Sequence, residues 1–227
     1  MRTVLICNEN DADPGFVGAR LEARGYRIER WHREHFRVWP TLEGVDLLFL
    51  LGSDWSLYWE HLEEHTECEA QLVREADAAG VPVLGICYGA QMIAHALGGS
   101  VSRSPEPEVG WYEIDSDLPE VIERGPWMQW HSDRLTVPPG ATELARSPIC
   151  PQAFLRGRTL GVQFHPEVDR SIVERWSAEG GAEELVRLGV DRRELLDRVQ
   201  AESVRTEPAA GRLVDWFLDA VVGAVRD

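Results

Sequence analysis

The sequence predicts an α/β fold built on a doubly wound, mostly parallel sheet. Three observations predict it. Short apolar runs at Thr3–Cys7, Val45–Leu51 and Val81–Ile86 show almost no polar alternation, as strands buried on both faces do. Stretches with apolar residues at helical spacing lie between these runs. The length, 227 residues, suits one domain of this kind.

Each element follows in order. Thr3–Cys7 is the first strand. Pro14 sits where a helix begins, Phe16, Val17 and Leu21 form its apolar stripe, and Gly25 ends it. Tyr26–Trp31 is a second strand and Val45–Leu51 a third. Trp59–Ala79 reads as an amphipathic helix stopped by Gly80, followed by strand Val81–Ile86 and helix Tyr88–Leu97. Strands and helices alternating at this spacing imply right-handed crossovers. After Gly98 the pattern changes to shorter strands at Val109–Ile114, Leu135–Val137 and Gln152–Phe164, set between turns rich in Pro and Gly. From Ser171 the tail is helical: Ile172–Trp176, Ala182–Leu188, Arg192–Ala201 and Leu213–Val225. With no repeat, low-complexity tract or linker, the chain is expected to be a single domain over 1–227. Its core covers about 1–170 and a helical C-terminal extension about 171–227.

Composition narrows the function. Apolar residues make up 44% and charged residues 27%, which excludes a disordered or fibrous chain. The net charge of −16 repels phosphate backbones and anionic membrane surfaces, so no nucleic acid or membrane partner is expected. All basic residues are Arg, which removes mechanisms that need a lysine Schiff base or a P-loop lysine. No apolar run reaches the roughly 18 residues of a membrane helix, and the acidic residues from Glu9 onward leave no room for a signal peptide. The cysteines Cys7, Cys68, Cys87 and Cys150 are far apart without a C-x-x-C. A reduced, cytoplasmic setting is therefore expected.

The chemistry concentrates in two segments. In Val83-Leu84-Gly85-Ile86-Cys87-Tyr88-Gly89-Ala90-Gln91, a buried strand ends in Gly-x-Cys-x-Gly and turns directly into a helix. This is the thiol form of a nucleophile elbow. A cysteine there meets free N–H groups and the positive end of the helix dipole, both of which favour thiolate. The N–H of Tyr88 can donate to an oxyanion. In Leu160-Gly161-Val162-Gln163-Phe164-His165-Pro166-Glu167-Val168, residues two apart in extended chain point the same way. Glu167 can therefore orient His165, and His165 can serve Cys87 as a base.

Together the two segments resemble the signature of class I glutamine amidotransferases, the Cys-His-Glu triad family. Gly85-Ile86-Cys87-Tyr88-Gly89 with Gln91 is similar to the form seen in GMP synthetase amidotransferase domains. The resemblance spans about residues 1 to 170. It implies a flavodoxin-like sheet flanked by helices, and hydrolysis of a glutamine side-chain amide through a γ-glutamyl thioester on Cys87. His165 would pass the proton and Glu167 would orient His165. Leu51-Gly52-Ser53-Asp54 occupies the place of the family's Gly-Gly-Pro oxyanion loop, with Ser53 and Asp54 where Gly and Pro are usual. The N–H of Gly52 or Ser53 would face the oxyanion. By position, Gln129-Trp130-His131-Ser132-Asp133 resembles the family's glutamine-holding loop, so Trp130, Ser132 and Asp133, with Gln91, would contact substrate. No metal and no cofactor is implied.

Other signals are set aside. His61-Leu62-Glu63-Glu64-His65 matches the zinc pattern H-x-x-E-H, but no further ligand supports it. Nine Trp residues is a high number; five, including Trp55, Trp59 and Trp130, flank the site segments. They read as packing or as an aromatic rim around the γ-glutamyl pocket. Three functions stay open. The chain supplies ammonia to a separate synthetase, since the end at Asp227 leaves no room for an acceptor domain. Alternatively it hydrolyses γ-glutamyl amides alone, or it is a non-catalytic relative. The extension is expected to cover the site or form a contact surface.

Overall fold

The apolar runs dictate the layering. In the computed structural model, which describes residues 1–39 and 41–223, β1 (Arg2–Cys7), β2 (Arg27–His32), β3 (Leu47–Leu50), β4 (Val83–Ile86) and β10 (Thr159–Val162) lie parallel. Alternate residues feed opposite cores, as a period of two requires. Leu5, Leu47 and Phe49 face one, and Val4, Ile6, Leu48 and Leu50 face the other. Helix α1 (Gly15–Ala23) covers the first face; α2 (Glu63–Ala79) and α3 (Tyr88–Ala96) cover the second.

The sheet is eight-stranded, in the order β2-β1-β3-β4-β10-β9-β8-β6. Its last three strands, β9 (Pro151–Arg156), β8 (Thr142–Arg146) and β6 (Asp115–Ser116), are antiparallel. The run expected at Gln152–Phe164 is thus the β9–β10 hairpin. Outside this sheet, β5 (Val101–Tyr112) and β7 (Trp127–Leu135) form a two-stranded ribbon. β5 begins at Val101 rather than at the expected Val109, and β7 ends at Leu135, where the expected strand Leu135–Val137 would begin. The first half of β5 is polar and exposed, so its strand character comes from its partner rather than from hydrophobic patterning.

The tail comprises α4 (Arg170–Trp176), α5 (Glu179–Leu188) and α6 (Arg192–Trp216), and the last continues in wider turns to Val222. The two helices expected at Arg192–Ala201 and Leu213–Val225 are one, running through Pro208. Packing overrides the lost hydrogen bond there, because Ala209, Ala210, Leu213, Val214 and Phe217 are buried in the first core. The expected end at Val225 lies outside the described residues. The tail therefore has two jobs: α6 completes the sheet's cover, while α4 and α5 reach the site described below. Among the described residues, no helix is long and apolar enough to cross a membrane.

Candidate active site

Segments leaving the C-terminal ends of β1, β3, β4 and β10 converge at one edge of the sheet, where doubly wound folds bind their ligands. Cys87 follows β4 and precedes α3. Its φ of 51° makes it the one non-glycine residue with positive φ among the described residues. Such a conformation costs about 1–3 kcal/mol and is held by its surroundings. Cys87 N donates to Val162 O at 2.8 Å, and Gln91 N donates to Cys87 O at 2.9 Å. The elbow also needs Gly89, where a Cβ would stand 2.2 Å from Leu50 O.

His165 follows β10, and its N–H donates to Met128 O at 2.9 Å. Its Nδ1 lies 2.7 Å from Glu167 Oε1, with both side chains buried. Nδ1–H donates to the carboxylate, which leaves Nε2 for the thiol. Burial opposes the imidazolium, but Glu167 and then Cys87 outweigh it and hold the His165 pKa well above its ordinary value. Gln163, a residue that sequence reasoning assigned no role, is fully buried and donates to Cys87 Sγ at 3.5 Å. Gln91 Nε2 in turn donates to Gln163 Oε1 at 3.2 Å.

Gly52 adjoins both groups: a Cβ there would stand 3.2 Å from His165 Cε1 and 3.7 Å from Cys87 Cβ. Ser53 Oγ accepts from Trp55 N at 3.1 Å and turns the loop. Arg33, fully buried, donates to Leu51 O at 2.9 Å and to Gly52 O at 3.1 Å. Carbonyl and amide point oppositely in a trans peptide, so the N–H groups of Gly52 and Ser53 are turned away from Arg33. Its guanidinium also lies 4.7 Å over the Tyr88 ring and pairs with Glu69 at 2.9 Å. Arg33 thus ties together both segments that carry the expected oxyanion donors. The sequence signal that could have found it is a carboxylate on an apolar stripe. Glu69 lies on the buried stripe of α2 with Thr66, Val73 and Ala76, and a carboxylate there demands a cation.

Trp130, Ser132 and Asp133 belong to β7 rather than to a loop. The Asp133 carboxylate accepts from Ser56 Oγ at 2.6 Å and from Tyr58 Oη at 2.7 Å. Trp130 Nε1 and Ser132 Oγ donate to Glu184 of α5 at 2.9 and 3.3 Å. Every expected site residue except Glu167 and Tyr88 lines one cavity of about 890 Å³. Trp55, Trp59 and Trp176 line it too. The rings of the H-x-x-E-H segment pack against aromatic groups, His61 on Trp59 and His65 on Trp55 and Phe36.

A second Cys-His-Glu group lies behind β7, formed by buried Glu108, His131 and Cys150. Gln152 Nε2 projects among them, 3.0 Å from Glu108 Oε2 and 3.7 Å from Cys150 Sγ. His131 Nε2 lies 3.1 Å from Glu108 Oε2 in turn. Burial, and after it Glu108, push the Cys150 thiol up to about 12; the contacts of Glu108 with His131 and Gln152 make the group a buried polar network against the ribbon.

Comparison with known proteins places this geometry. The family model described as glutamine amidotransferase class-I matches residues 60–174, half of the chain. The chain belongs to the class I glutamine amidotransferases. A GMP synthase [glutamine-hydrolyzing] of Aeropyrum pernix is 37% identical over 179 residues, covering 72% of this chain and 32% of that protein. The Parafrankia enzyme of the same name is 45% identical over 104 residues, 41% of this chain and 19% of that protein. The chain thus spans about a third or less of the length of the curated relatives it matches. Among solved structures, a glutamine amidotransferase of Thermotoga maritima superposes with a TM-score of 0.84 at 28% identity, covering 98% of each chain. One from Methylobacillus flagellatus shares the fold at 22% identity, with a TM-score of 0.81 and coverage of 96% and 94%.

Proposed function

We propose that this amidotransferase hydrolyses the side-chain amide of glutamine through a γ-glutamyl thioester on Cys87 and supplies the ammonia to a separate synthetase. The observation that carries the reading is the strained Cys87 at a helix N-terminus, facing the buried His165–Glu167 pair bonded at 2.7 Å. The Cys87 thiolate attacks the amide carbon. N–H groups of Tyr88 and of Gly52 or Ser53 receive the negative oxygen. His165 gives its proton to the departing ammonia, and the thioester forms. His165 then takes a proton from water, which attacks the thioester and releases glutamate. Glu167 keeps the proton of His165 on Nδ1 throughout. Gln91, Trp130, Ser132 and Asp133 form the substrate end of the site. We assign the chain to the cytoplasm, a setting supported by four cysteines free of disulfides.

One observation favours a second reading, hydrolysis of γ-glutamyl amides without a partner. The cavity of about 890 Å³, walled by Trp55, Trp59, Trp130 and Trp176, suits ligands of drug-like size and leaves room for a bulky amine. Glutamate release by the purified chain, from glutamine and from a panel of γ-glutamyl amides, separates the two. Slow turnover of glutamine that rises with an acceptor synthetase supports the first. Fast turnover of one amide alone supports the second. No release from any of them, with or without synthetase, overturns both.

A further inference from the structure

The C-terminal extension contributes several residues to the cavity wall, and one of them, Trp176, touches the imidazole of His165. Trp176, the last residue of α4, lies edge-on to the His165 imidazole, with ring centroids 4.7 Å apart and planes at 63°. Its indole N–H donates to Asp11 Oδ2 at 2.8 Å. Asp11 belongs to the segment between β1 and α1, so this bond joins the first loop of the core to the extension beside His165.

The surroundings hold the pair in register. Trp130 also meets Trp176 edge-on, with centroids 5.9 Å apart. Arg175, the residue before it, donates to Asp13 Oδ2 at 3.0 Å. Gly15, at φ 46°, lets the same loop press against the base's own segment: Phe16 N donates to Glu167 O at 2.9 Å, and a Cβ at Gly15 would stand 1.8 Å from that oxygen. From the far side, Arg192 Nε donates to Ser177 O at 2.9 Å and fixes the end of α4.

Glu167 grips the imidazole at Nδ1 alone, and a ring held at one atom can still tilt about that bond. We infer that Trp176, held by Asp11, is a positioning residue that fixes the tilt of His165 toward Cys87 and shields the His165–Glu167 bond from water. The inference rests on the reading of His165 as the base of Cys87. Loss of such positioning costs a reaction its alignment and leaves ground-state binding largely intact.

The test combines turnover with alkylation of Cys87 by a glutamine-like chloroketone. Trp176→Phe keeps an aromatic ring but loses the N–H, and Asp11→Ala loses the acceptor. Each is expected to lower kcat and the alkylation rate by roughly 10- to 100-fold, with KM within about twofold and folding preserved by circular dichroism. The double variant should be no worse than either single one, as for two parts of one contact. Asp11→Asn, which retains an oxygen acceptor, should recover most of the loss. Folded variants with unchanged kcat and alkylation overturn the inference, as does a rise in KM alone, which would make Trp176 a substrate wall. If native protein neither turns over nor alkylates at Cys87, the reading of the triad has failed instead. If Trp176→Phe and Asp11→Ala do not fold, Asp11→Leu, which fills the carboxylate's space without an acceptor, decides: lost kcat and alkylation with native KM support the inference, and native kcat and alkylation overturn it.

Discussion

At Cys87 the backbone itself prepares the nucleophile: a positive φ places the thiol at the first turn of α3. Cys87→Ser is expected to cut glutamate release by about a thousandfold or more. Glu167→Gln should cost less, about 10- to 100-fold, because the amide oxygen still accepts from Nδ1. Gln163→Leu removes the donor to Sγ and should slow alkylation of Cys87 by about tenfold. Asp11 gives a stability prediction with a sign. Burial, with help from Glu167, pushes it from 3.8 up to about 6 against the bond from Trp176. The folded state therefore disfavours its ionised form, and this penalty appears as pH rises from about 4 through 6. Asp11→Asn lacks the penalty. It should be more stable than native protein at pH 8, on the order of 2 kcal/mol, with the gap closing by about pH 4 in thermal melts. Cys87, His165 and Glu167 were legible because two short motifs carry them. Arg33, Gln163 and Trp176 were not, since each acts on a residue distant in the chain.

At the scale of elements, legibility followed burial. The buried strands β1, β3 and β4 announced themselves as apolar runs, and their ends differ little from the expected ones, whereas β10 was hidden in one run with β9. The ribbon of β5 and β7 did not, because pairing rather than patterning makes it extended. In α6, Pro208 argued for two helices, while the buried stripe of Leu213, Val214 and Phe217 holds one together. This helix belongs to the core of the fold, against the expectation that the whole tail lies beyond it. Arg20 of α1 and Arg24 just after the helix also pair with Asp215 at 2.5 and 2.6 Å, though such half-exposed bridges contribute little. Phe217→Ala should cost about 3–5 kcal/mol in denaturant unfolding. Arg24→Ala should cost under about 1 kcal/mol. A Phe217→Ala cost as small as that of Arg24→Ala would show that α6 is not part of the core.

For the whole molecule, the sheet delivers the site. The loops after β1, β3, β4 and β10 end at one edge, and the ribbon with α4 and α5 builds the opposite wall. The cavity is thus shared between the family's motifs and the extension. The motifs announced the chemistry; the wall, made of Trp176 and Glu184, carried no signal of its own. On the proposed function, the charge of −16 predicts that association with the synthetase weakens as salt rises from low to physiological strength. Ammonia-dependent coupling measured against ionic strength would show it. The most direct measurement is mass-spectrometric mapping of the chain after treatment with a glutamine-like chloroketone, with and without excess glutamine. Modification of Cys87 alone, blocked by glutamine and slowed in His165→Ala, is the predicted result. An untouched Cys87, or labelling of Cys7, Cys68 or Cys150 in its place, would contradict the account.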